Sequence, residues 1–276
     1  MRIISEKSTL RGEVLIPTSK SHTIRGVAFS TLAHGKSIIH HPLVSSDCMA
    51  AVGAGRLFGA QVDLGDAWKV EGVAGAPRVP ENVVDVRNSG TTMNFFMGTA
   101  GLVEGTTVLT GDEQIIRRPV QPIIKALKDL GAEAYSTRNN GLPPVVVKGR
   151  LRGGKTRFSA IVSTYLSCFL IHCPLAPGDS ELEIYDIPEK SYIRMTLAWL
   201  DKYGIRYEAS DDVTQFKIFG GQSWYVIFFI SQLKILEILR PRNLFRFYKQ
   251  LIRYLRIVGQ DPSIGRERKR NERFAE

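Results

Sequence analysis

The sequence predicts an α/β (α+β) fold built from three repeated units, in which helices pack against sheets. The first observation is a set of three glycines, Gly59, Gly131 and Gly204, which are 72 and 73 residues apart. Each glycine ends an apolar helical pattern and precedes a short strand-like run. Glycine at this point favours the left-handed conformation that terminates a helix. A fixed period of this length indicates a repeated supersecondary unit.

Two further landmarks recur at the same points of each unit. A polar loop follows a strand-like run and opens a helix at residues 18–21, 88–91 and 163–164. A mid-unit strand is predicted after that helix at residues 37–39, 107–109 and 182–184. We therefore predict repeats of the βαββαβ type, packed as one domain over residues 1–222. Their bounds are about 12–75, 76–148 and 149–222.

The composition changes after Gln222. Only Gly259 and Gly265 of the chain's 25 glycines lie beyond it, and aromatic residues become frequent. Residues 223–276 also carry 12 Lys or Arg and 5 Asp or Glu, so they hold most of the net charge of +10. We predict that these residues form a separate basic, aromatic-rich tail, whose fold the pattern does not specify.

Composition also excludes several classes of protein. The chain is 43% hydrophobic and 23% charged, which is ordinary for a protein that buries a core. Its three cysteines form no CxxC pair, which indicates a reducing compartment. The first ten residues lack the apolar stretch of a signal peptide, and no stretch approaches the ~20 apolar residues of a membrane span. We therefore expect a cytoplasmic protein without a membrane partner. Because most of the positive charge lies in the tail, nucleic acid is a disfavoured partner for the main domain.

The first polar loop is a candidate anion site. Backbone N–H groups at a helix N-terminus favour an anion, and a helix is predicted to start near Ser21. Lys20 adds a positive charge at the same point, and Arg25 follows about one helical turn later. An N-capping serine beside two solvated cations explains the same residues equally well.

Two later segments have the same character. In residues 88–91, Gly90 allows a ligand to approach the backbone closely, although a simple helix cap also accounts for this loop. Arg118 precedes a predicted helix, where a cation opposes the helix dipole unless an anion is bound. An exposed charged turn is the alternative.

The third unit contributes Ser163, Thr164 and Tyr165 at one helix start and Lys190 to Tyr192 at another. Each start is explained equally well as a cap. If the three units pack with pseudo-symmetry, however, all these loops meet at one end of the domain. A cluster of cations and helix N-termini suits a ligand rich in phosphate and carboxylate groups.

In sequence order, these loops resemble the motifs of the 5-enolpyruvylshikimate-3-phosphate (EPSP) synthase family. Ser19-Lys20-Ser21 with Arg25 resembles its phosphate-binding signature, and residues 88–91 resemble its Asn-Ala-Gly-Thr loop. Residues 109–120 are similar to its Thr-Gly-acidic…Arg-Pro motif, and residues 190–193 to its Lys-Pro-Tyr-Ile motif. The match runs from about residue 12 to residue 222, and several motifs in one order are more specific than any single motif.

The resemblance implies a two-domain enolpyruvyl transferase fold and a reaction of the shikimate pathway. Family members transfer the enolpyruvyl group of phosphoenolpyruvate to the 5-hydroxyl of shikimate 3-phosphate and release phosphate. They use no metal and no organic cofactor, and they are expected to be monomers. Two anionic substrates must be held together, so charge neutralisation and positioning carry much of the catalysis.

The resemblance also implies roles for individual residues. Lys20 would contact both substrates and is the candidate catalytic residue on this chain. Phosphoenolpyruvate would be held by Gly90 and Arg118. Shikimate 3-phosphate would be held by a larger set: Ser21, Arg25, Ser163, Thr164 and Tyr192.

Three positions depart from the family pattern. The family usually has Gln, which touches both ligands, where this chain has Tyr165. Tyrosine cannot offer the paired donor and acceptor of an amide. The family also usually has Arg at Asn94 and Ser at Glu189. These differences predict an altered substrate geometry or relaxed selection.

The largest departure is the missing second half. Family members are longer, and their second domain supplies a catalytic Asp and Glu together with further cations for phosphoenolpyruvate. Residues 223–276 contain no stretch that aligns with it. We therefore expect the acid–base pair to be absent and this chain alone to be inactive. A truncation or frameshift after about Gln222 explains the pattern, and a genuine short variant is the alternative.

Other functions remain open at this point. One is a non-catalytic module that binds a phosphometabolite. Another is a relative of the UDP-N-acetylglucosamine enolpyruvyl transferase, which carries Lys-Asn where this chain has Lys20-Ser21. A third is RNA binding through the aromatic tail, where aromatic residues interleaved with arginines can stack bases.

Overall fold

The computed structural model describes residues 18–225 and 228–230. The described residues contain six α-helices: α1 (Lys20–Leu32), α2 (Ser46–Leu57), α3 (Gly90–Ala100), α4 (Gln121–Asp129), α5 (Ser163–His172) and α6 (Lys190–Lys202). They also contain twelve strands: β1 (Lys36–His40), β2 (Gln61–Asp63), β3 (Ala67–Glu71), β4 (Val84–Asp85), β5 (Thr106–Thr110), β6 (Glu133–Ser136), β7 (Val145–Lys148), β8 (Gly154–Ser159), β9 (Ser180–Tyr185), β10 (Tyr207–Ala209), β11 (Gln215–Ile218) and β12 (Phe228–Ile230).

The strands form three four-stranded sheets of the same design. Their orders are β12-β1-β3-β2, β4-β5-β7-β6 and β8-β9-β11-β10. In each sheet the first pair of strands is parallel and the other pairs are antiparallel. The predicted mixed α/β class and the three mid-unit strands, β1, β5 and β9, are confirmed.

The order of elements within a unit corrects the predicted βαββαβ pattern. The second and third units read strand, helix, strand, helix, strand, strand. The last two strands are antiparallel neighbours, which a short hairpin connects. The first hairpin strands, β2, β6 and β10, are only three or four residues long, so the alternation of apolar residues is too brief to reveal a hairpin in the sequence.

The first sheet obtains its outer strand from the far end of the described chain. β12 pairs in parallel with β1, and Ile38 lies opposite Phe228. Trp224 is buried, and its indole N–H donates to the backbone carbonyl of Phe29 at 2.9 Å. The strand-like run predicted before the loop at residues 18–21 and the tail residues 231–276 lie outside the described residues. The domain boundary at Gln222 stays a prediction.

The helices divide into two sets that differ in burial. α1, α3 and α5 are buried along almost their whole length, whereas α2, α4 and α6 are each only partly buried. Small residues let the buried helices approach closely. A Cβ on Gly98 of α3 would lie 2.4 Å from the Nδ1 atom of His172 on α5. The positions of the buried helices are therefore fixed by tight packing, and so are the positions of their N-termini.

The three glycines of the predicted repeat have the predicted conformation. Each follows the last turn of α2, α4 or α6 and has a positive φ: 111° at Gly59, 101° at Gly131 and 67° at Gly204. Other residues are strained in this region. In the part of the chain that the structure describes, no helix is long and apolar enough to cross a membrane.

Candidate anion-binding site at the helix N-termini

The N-terminus of α1 presents Lys20 beside the first turn of α2. Ser19 is the N-cap, and its hydroxyl accepts from the backbone N–H of His22 at 3.3 Å. The Lys20 ammonium donates to a carboxylate oxygen of Asp47 at 2.6 Å, and half of the Lys20 side chain is exposed. The ammonium has three N–H donors, so this ion pair leaves donors free on the exposed side.

The N-terminus of α3 lies next to α2. The hydroxyl of Ser89 caps the helix by accepting from the backbone N–H of Thr92 at 3.3 Å. The hydroxyl of Thr92 in turn donates to the backbone carbonyl of Asp47 at 3.4 Å. These bonds place the second polar loop beside the carboxylate that holds Lys20.

Arg118 lies directly over Gly90. A Cβ on Gly90 would be 2.8 Å from the Nη1 atom of Arg118, which is closer than real Cβ contacts allow. Glycine is therefore needed for the guanidinium to approach the start of α3. The Arg118 side chain is exposed and Gly90 is partly exposed, so a solvent-accessible cation lies at a helix N-terminus.

The N-terminus of α5 is joined to α3 and to the Arg118 segment. The side-chain amide of Asn94 donates to the hydroxyl of Thr164 at 2.7 Å. Ser163 is buried beside it. The Tyr165 ring is also buried, and its hydroxyl donates to the backbone carbonyl of Pro119 at 2.5 Å. Burial raises the pKa of Tyr165, so it remains a neutral donor.

Arg25 lies beneath this surface, with 1% of its area exposed. Its guanidinium donates to the hydroxyls of Thr196 (2.9 Å) and Ser167 (3.3 Å). It also donates to the backbone carbonyls of Ser21 (3.1 Å) and Tyr192 (3.2 Å). Burial lowers the pKa of Arg25 to about 10, so the group remains charged at neutral pH. Arg25 thus ties α1 to α5 and α6.

The start of α6 is open to solvent. Glu189 is the N-cap residue but makes no side-chain capping bond, and both Glu189 and Lys190 are exposed. Tyr192 is half-buried. Its backbone carbonyl also accepts from the hydroxyl of Thr196 at 3.1 Å.

The structure therefore brings the loops of all three units together, as the repeat predicts. The links are α1 to α2 through Lys20, α2 to α3 through Asp47, α3 to α5 through Asn94, and α1 to α6 through Arg25. The ligand-binding role of each residue stays a prediction. Within the described ranges, no group of three or more His, Cys, Asp or Glu residues is placed to hold a metal ion.

Two carboxylates in this cluster had no role assigned from the sequence, although Asp112 is the acidic residue of the Thr-Gly-acidic…Arg-Pro motif. Asp47 holds Lys20, and Asp112 accepts from the side-chain amide of Asn88 at 2.7 Å. Asp47 follows the N-cap Ser45, a pattern that occurs at ordinary helix starts. Only the spatial neighbours of these carboxylates reveal what each one holds.

Comparison with known proteins identifies the same family as the motifs. The family model for EPSP synthase (3-phosphoshikimate 1-carboxyvinyltransferase) matches residues 4–230. A 3-phosphoshikimate 1-carboxyvinyltransferase from Acetivibrio thermocellus is 51% identical over 219 residues, which are 79% of this chain and 52% of that protein. A protein of the same name from Ruminiclostridium cellulolyticum is 44% identical over 220 residues, with the same coverage.

Solved structures agree on the fold. An EPSP synthase from Acinetobacter baumannii superposes with a TM-score of 0.72 at 23% identity. The superposition covers 79% of this chain and 49% of that one. The chain therefore spans about half the length of the curated relatives and of the solved structure that it matches.

Proposed function

Since the chain belongs to the EPSP synthase (3-phosphoshikimate 1-carboxyvinyltransferase) family, we propose that its helix N-termini bind phosphoenolpyruvate and shikimate 3-phosphate. The proposed activity of the whole protein is transfer of the enolpyruvyl group to the 5-hydroxyl of shikimate 3-phosphate, with release of phosphate. This chain supplies one substrate-binding half. We further propose a cytoplasmic, monomeric protein.

The observation that carries this proposal is Arg118 over Gly90. The guanidinium is exposed and lies at the first residue of α3, and the absence of a side chain at position 90 lets it approach that closely. A planar guanidinium can donate two parallel hydrogen bonds to a phosphate or carboxylate. This geometry supports an assignment of Gly90 and Arg118 to phosphoenolpyruvate.

The proposed shikimate 3-phosphate subsite lies at the starts of α1, α5 and α6. Ser163 and Thr164 open α5, where N–H groups and hydroxyls can both donate to a phosphate. Ser21 and Tyr192 border it, and Arg25 lies beneath it and donates to both of their carbonyls. In this proposal Arg25 adds positive potential and fixes the subsite.

Lys20 is proposed to contact both substrates. Its ammonium is exposed and holds Asp47 with one donor, so two donors remain for two anions. Such a shared cation reduces the repulsion between the substrates as they approach. The proton-transfer Asp and Glu of the family belong to the other half by resemblance, so we expect this chain to bind without turnover.

Calorimetry with shikimate 3-phosphate tests the proposal. We expect the unmodified chain to bind, and Lys20→Ala to weaken binding by about 10- to 100-fold, since a charge-assisted bond is lost. Lys36→Ala is the matched control, because Lys36 is also an exposed lysine in an ion pair, with Glu71 on β3. It should bind normally.

The same experiment distinguishes the alternatives. Binding of UDP-N-acetylglucosamine in place of shikimate 3-phosphate would indicate the other type of enolpyruvyl transferase. Absence of binding to either compound, or equal affinities for the chain and Lys20→Ala, would overturn the proposed site. Phosphate release with both substrates present would contradict the expectation of binding without turnover.

A further inference from the structure

We propose that Asp112 and Tyr165 are positioning residues for Arg118, which hold the segment carrying it on both sides and so keep its guanidinium over Gly90. The inference rests on the proposed function, because it assigns Arg118 to phosphoenolpyruvate. It gives Tyr165 a role that differs from direct contact with both ligands.

Asp112 forms hydrogen bonds that hold the backbone segment before Arg118. One carboxylate oxygen accepts from the backbone N–H groups of Gln114 (3.0 Å) and Ile115 (3.1 Å). The other accepts from the side-chain amide of Asn88 at 2.7 Å. A short 3-10 turn, Ile115–Arg117, follows, and the backbone N–H of Arg118 closes it by donating to Ile115 at 2.9 Å. One carboxylate therefore connects the turn before Arg118 to the loop that contains Gly90.

The backbone before Asp112 is tightly confined at Gly111. A Cβ on Gly111 would lie 2.6 Å from the backbone carbonyl of Arg87 and 2.7 Å from a methyl group of Ile115. The backbone N–H of Asp112 also donates to that Arg87 carbonyl at 2.8 Å. The two loops are thus packed backbone to backbone, and the carboxylate completes the contact.

Tyr165 holds the segment after Arg118. Its buried hydroxyl donates to the carbonyl of Pro119, the residue that follows Arg118. The ring belongs to the first turn of α5, a helix fixed in the core. The carbonyl of Pro119 therefore has a set position relative to the α5 N-terminus, which is the proposed subsite for the other substrate.

These two contacts matter because they hold the backbone of Arg118, a residue whose side chain extends into solvent. Its side chain is exposed, and a long side chain loses rotamer freedom when it is ordered on a ligand. A backbone held on both sides aims the guanidinium at one place and reduces that loss. Loss of either contact should weaken phosphoenolpyruvate binding and leave shikimate 3-phosphate binding nearly unchanged.

The test is calorimetry with phosphoenolpyruvate in the presence of saturating shikimate 3-phosphate. Tyr165→Phe removes only the hydroxyl and should weaken phosphoenolpyruvate binding by about two- to tenfold. Asp112→Ala should weaken it by about tenfold. Asp112→Asn should remain within about twofold of the unmodified chain, because its amide oxygen can still accept from the two backbone N–H groups, and its NH2 can donate to Asn88 once the Asn88 amide turns over.

Matched controls lie outside the loop cluster. Tyr185→Phe removes a hydroxyl from a half-exposed tyrosine on β9. Asp212→Ala removes a carboxylate that caps a turn in the same way, by accepting from the backbone N–H of Thr214. Neither control should change the affinity for phosphoenolpyruvate.

A double-mutant cycle separates positioning from a general loss of structure. In an Arg118→Ala background, Tyr165→Phe and Asp112→Ala should each have less than about a twofold effect on phosphoenolpyruvate. Effects of the same size in both backgrounds, or equal losses for both substrates, would overturn the inference while leaving the proposed function intact.

A second readout needs no ligand. The Arg118 Nε–H resonance, assigned by its loss in Arg118→Lys, should show lower order in ¹⁵N relaxation for Tyr165→Phe and Asp112→Ala. If the unmodified chain binds shikimate 3-phosphate but not phosphoenolpyruvate, the proposed role of Arg118 in binding is wrong. The ¹⁵N relaxation then still tests whether Asp112 and Tyr165 position Arg118. Unchanged relaxation in both variants would overturn it.

Discussion

Arg25 and Arg118 are predicted for the same site, yet their surroundings are opposite. Arg25 is 1% exposed and donates to two hydroxyls and two backbone carbonyls on three helices. Arg118 is exposed and lies over a glycine at the start of α3. The first guanidinium faces the protein, and the second faces solvent.

One residue type therefore serves two purposes in one cluster. A buried cation costs desolvation free energy, which only a full set of hydrogen bonds offsets. Arg25 therefore fixes the relative positions of α1, α5 and α6. An exposed cation adds little to stability but is available to an anion. Substitutions at these two regions should separate stability from binding.

The largest effect is expected for Arg25→Ala. It removes a buried guanidinium and leaves two hydroxyls and two carbonyls without this donor, so unfolding in urea should show a loss of about 4 kcal/mol. Arg118→Ala should change the free energy of unfolding by less than about 0.5 kcal/mol. Similar losses for the two variants would remove the distinction between them.

His172 is a second buried basic residue, but unlike Arg25 it is neutral, and a pH titration tests its effect on stability. His172 is fully buried, its Nδ1 donates to the carbonyl of Cys168, and burial lowers its pKa to about 4. As the pH falls, the His172 imidazole is therefore protonated in the unfolded chain before it is protonated in the folded chain. The free energy of unfolding should therefore keep the full contribution of neutral His172 above pH ~6.5, and should decrease towards pH ~4 by up to about 3 kcal/mol.

Urea denaturation at several pH values measures this effect. His172→Asn keeps a donor for Cys168 but does not titrate, so its stability should change less over the same pH range. Equal pH dependence in the two proteins would assign the acid sensitivity to other groups.

Gly90→Ala should act on binding and not on stability. The added methyl group meets the flexible end of Arg118 at 2.8 Å, so the guanidinium must shift while the fold persists. Affinity for phosphoenolpyruvate should fall by about tenfold, or about 1.4 kcal/mol. Gly53→Ala in α2 is the control, since a Cβ there meets nothing within 4 Å. A normal affinity in Gly90→Ala would show that the close approach is not required.

Asp47→Asn should also have only a small effect on stability. This change breaks the ion pair with Lys20, whose side chain is half-exposed. Pairs of this kind are worth little, so the urea midpoint should correspond to a loss of about 0.5 kcal/mol. A loss of several kcal/mol would show that the Lys20–Asp47 ion pair stabilises the fold, as the buried Arg25 guanidinium does.

Much of the architecture could be predicted because it depends on local rules. The helix ends at Gly59, Gly131 and Gly204 follow from the conformational freedom of glycine. The mid-unit strands were recognisable from short apolar runs. The hairpins after α2, α4 and α6 were not, because their first strands have only three or four residues, which is too short to show a period.

Within the site, residue types were predictable and their directions were not. Lys20, Gly90 and Arg118 stood out as residues that suit an anion. Nothing in the chain order indicated that Arg25 points inward, that Asp112 meets Asn88, or that Tyr165 reaches Pro119. These contacts join residues 24 to 171 positions apart, and packing rather than local propensity decides them.

The amino-acid sequence alone determines the repeat, the helix starts and the family, since each depends on short stretches with their own conformational preferences. The tertiary structure decides which polar residues share a surface and which are buried. It also places β12, from beyond Gln222, in parallel beside β1. The physical reason is that burial and close approach are properties of packed helices and sheets, and no single segment of the chain contains them.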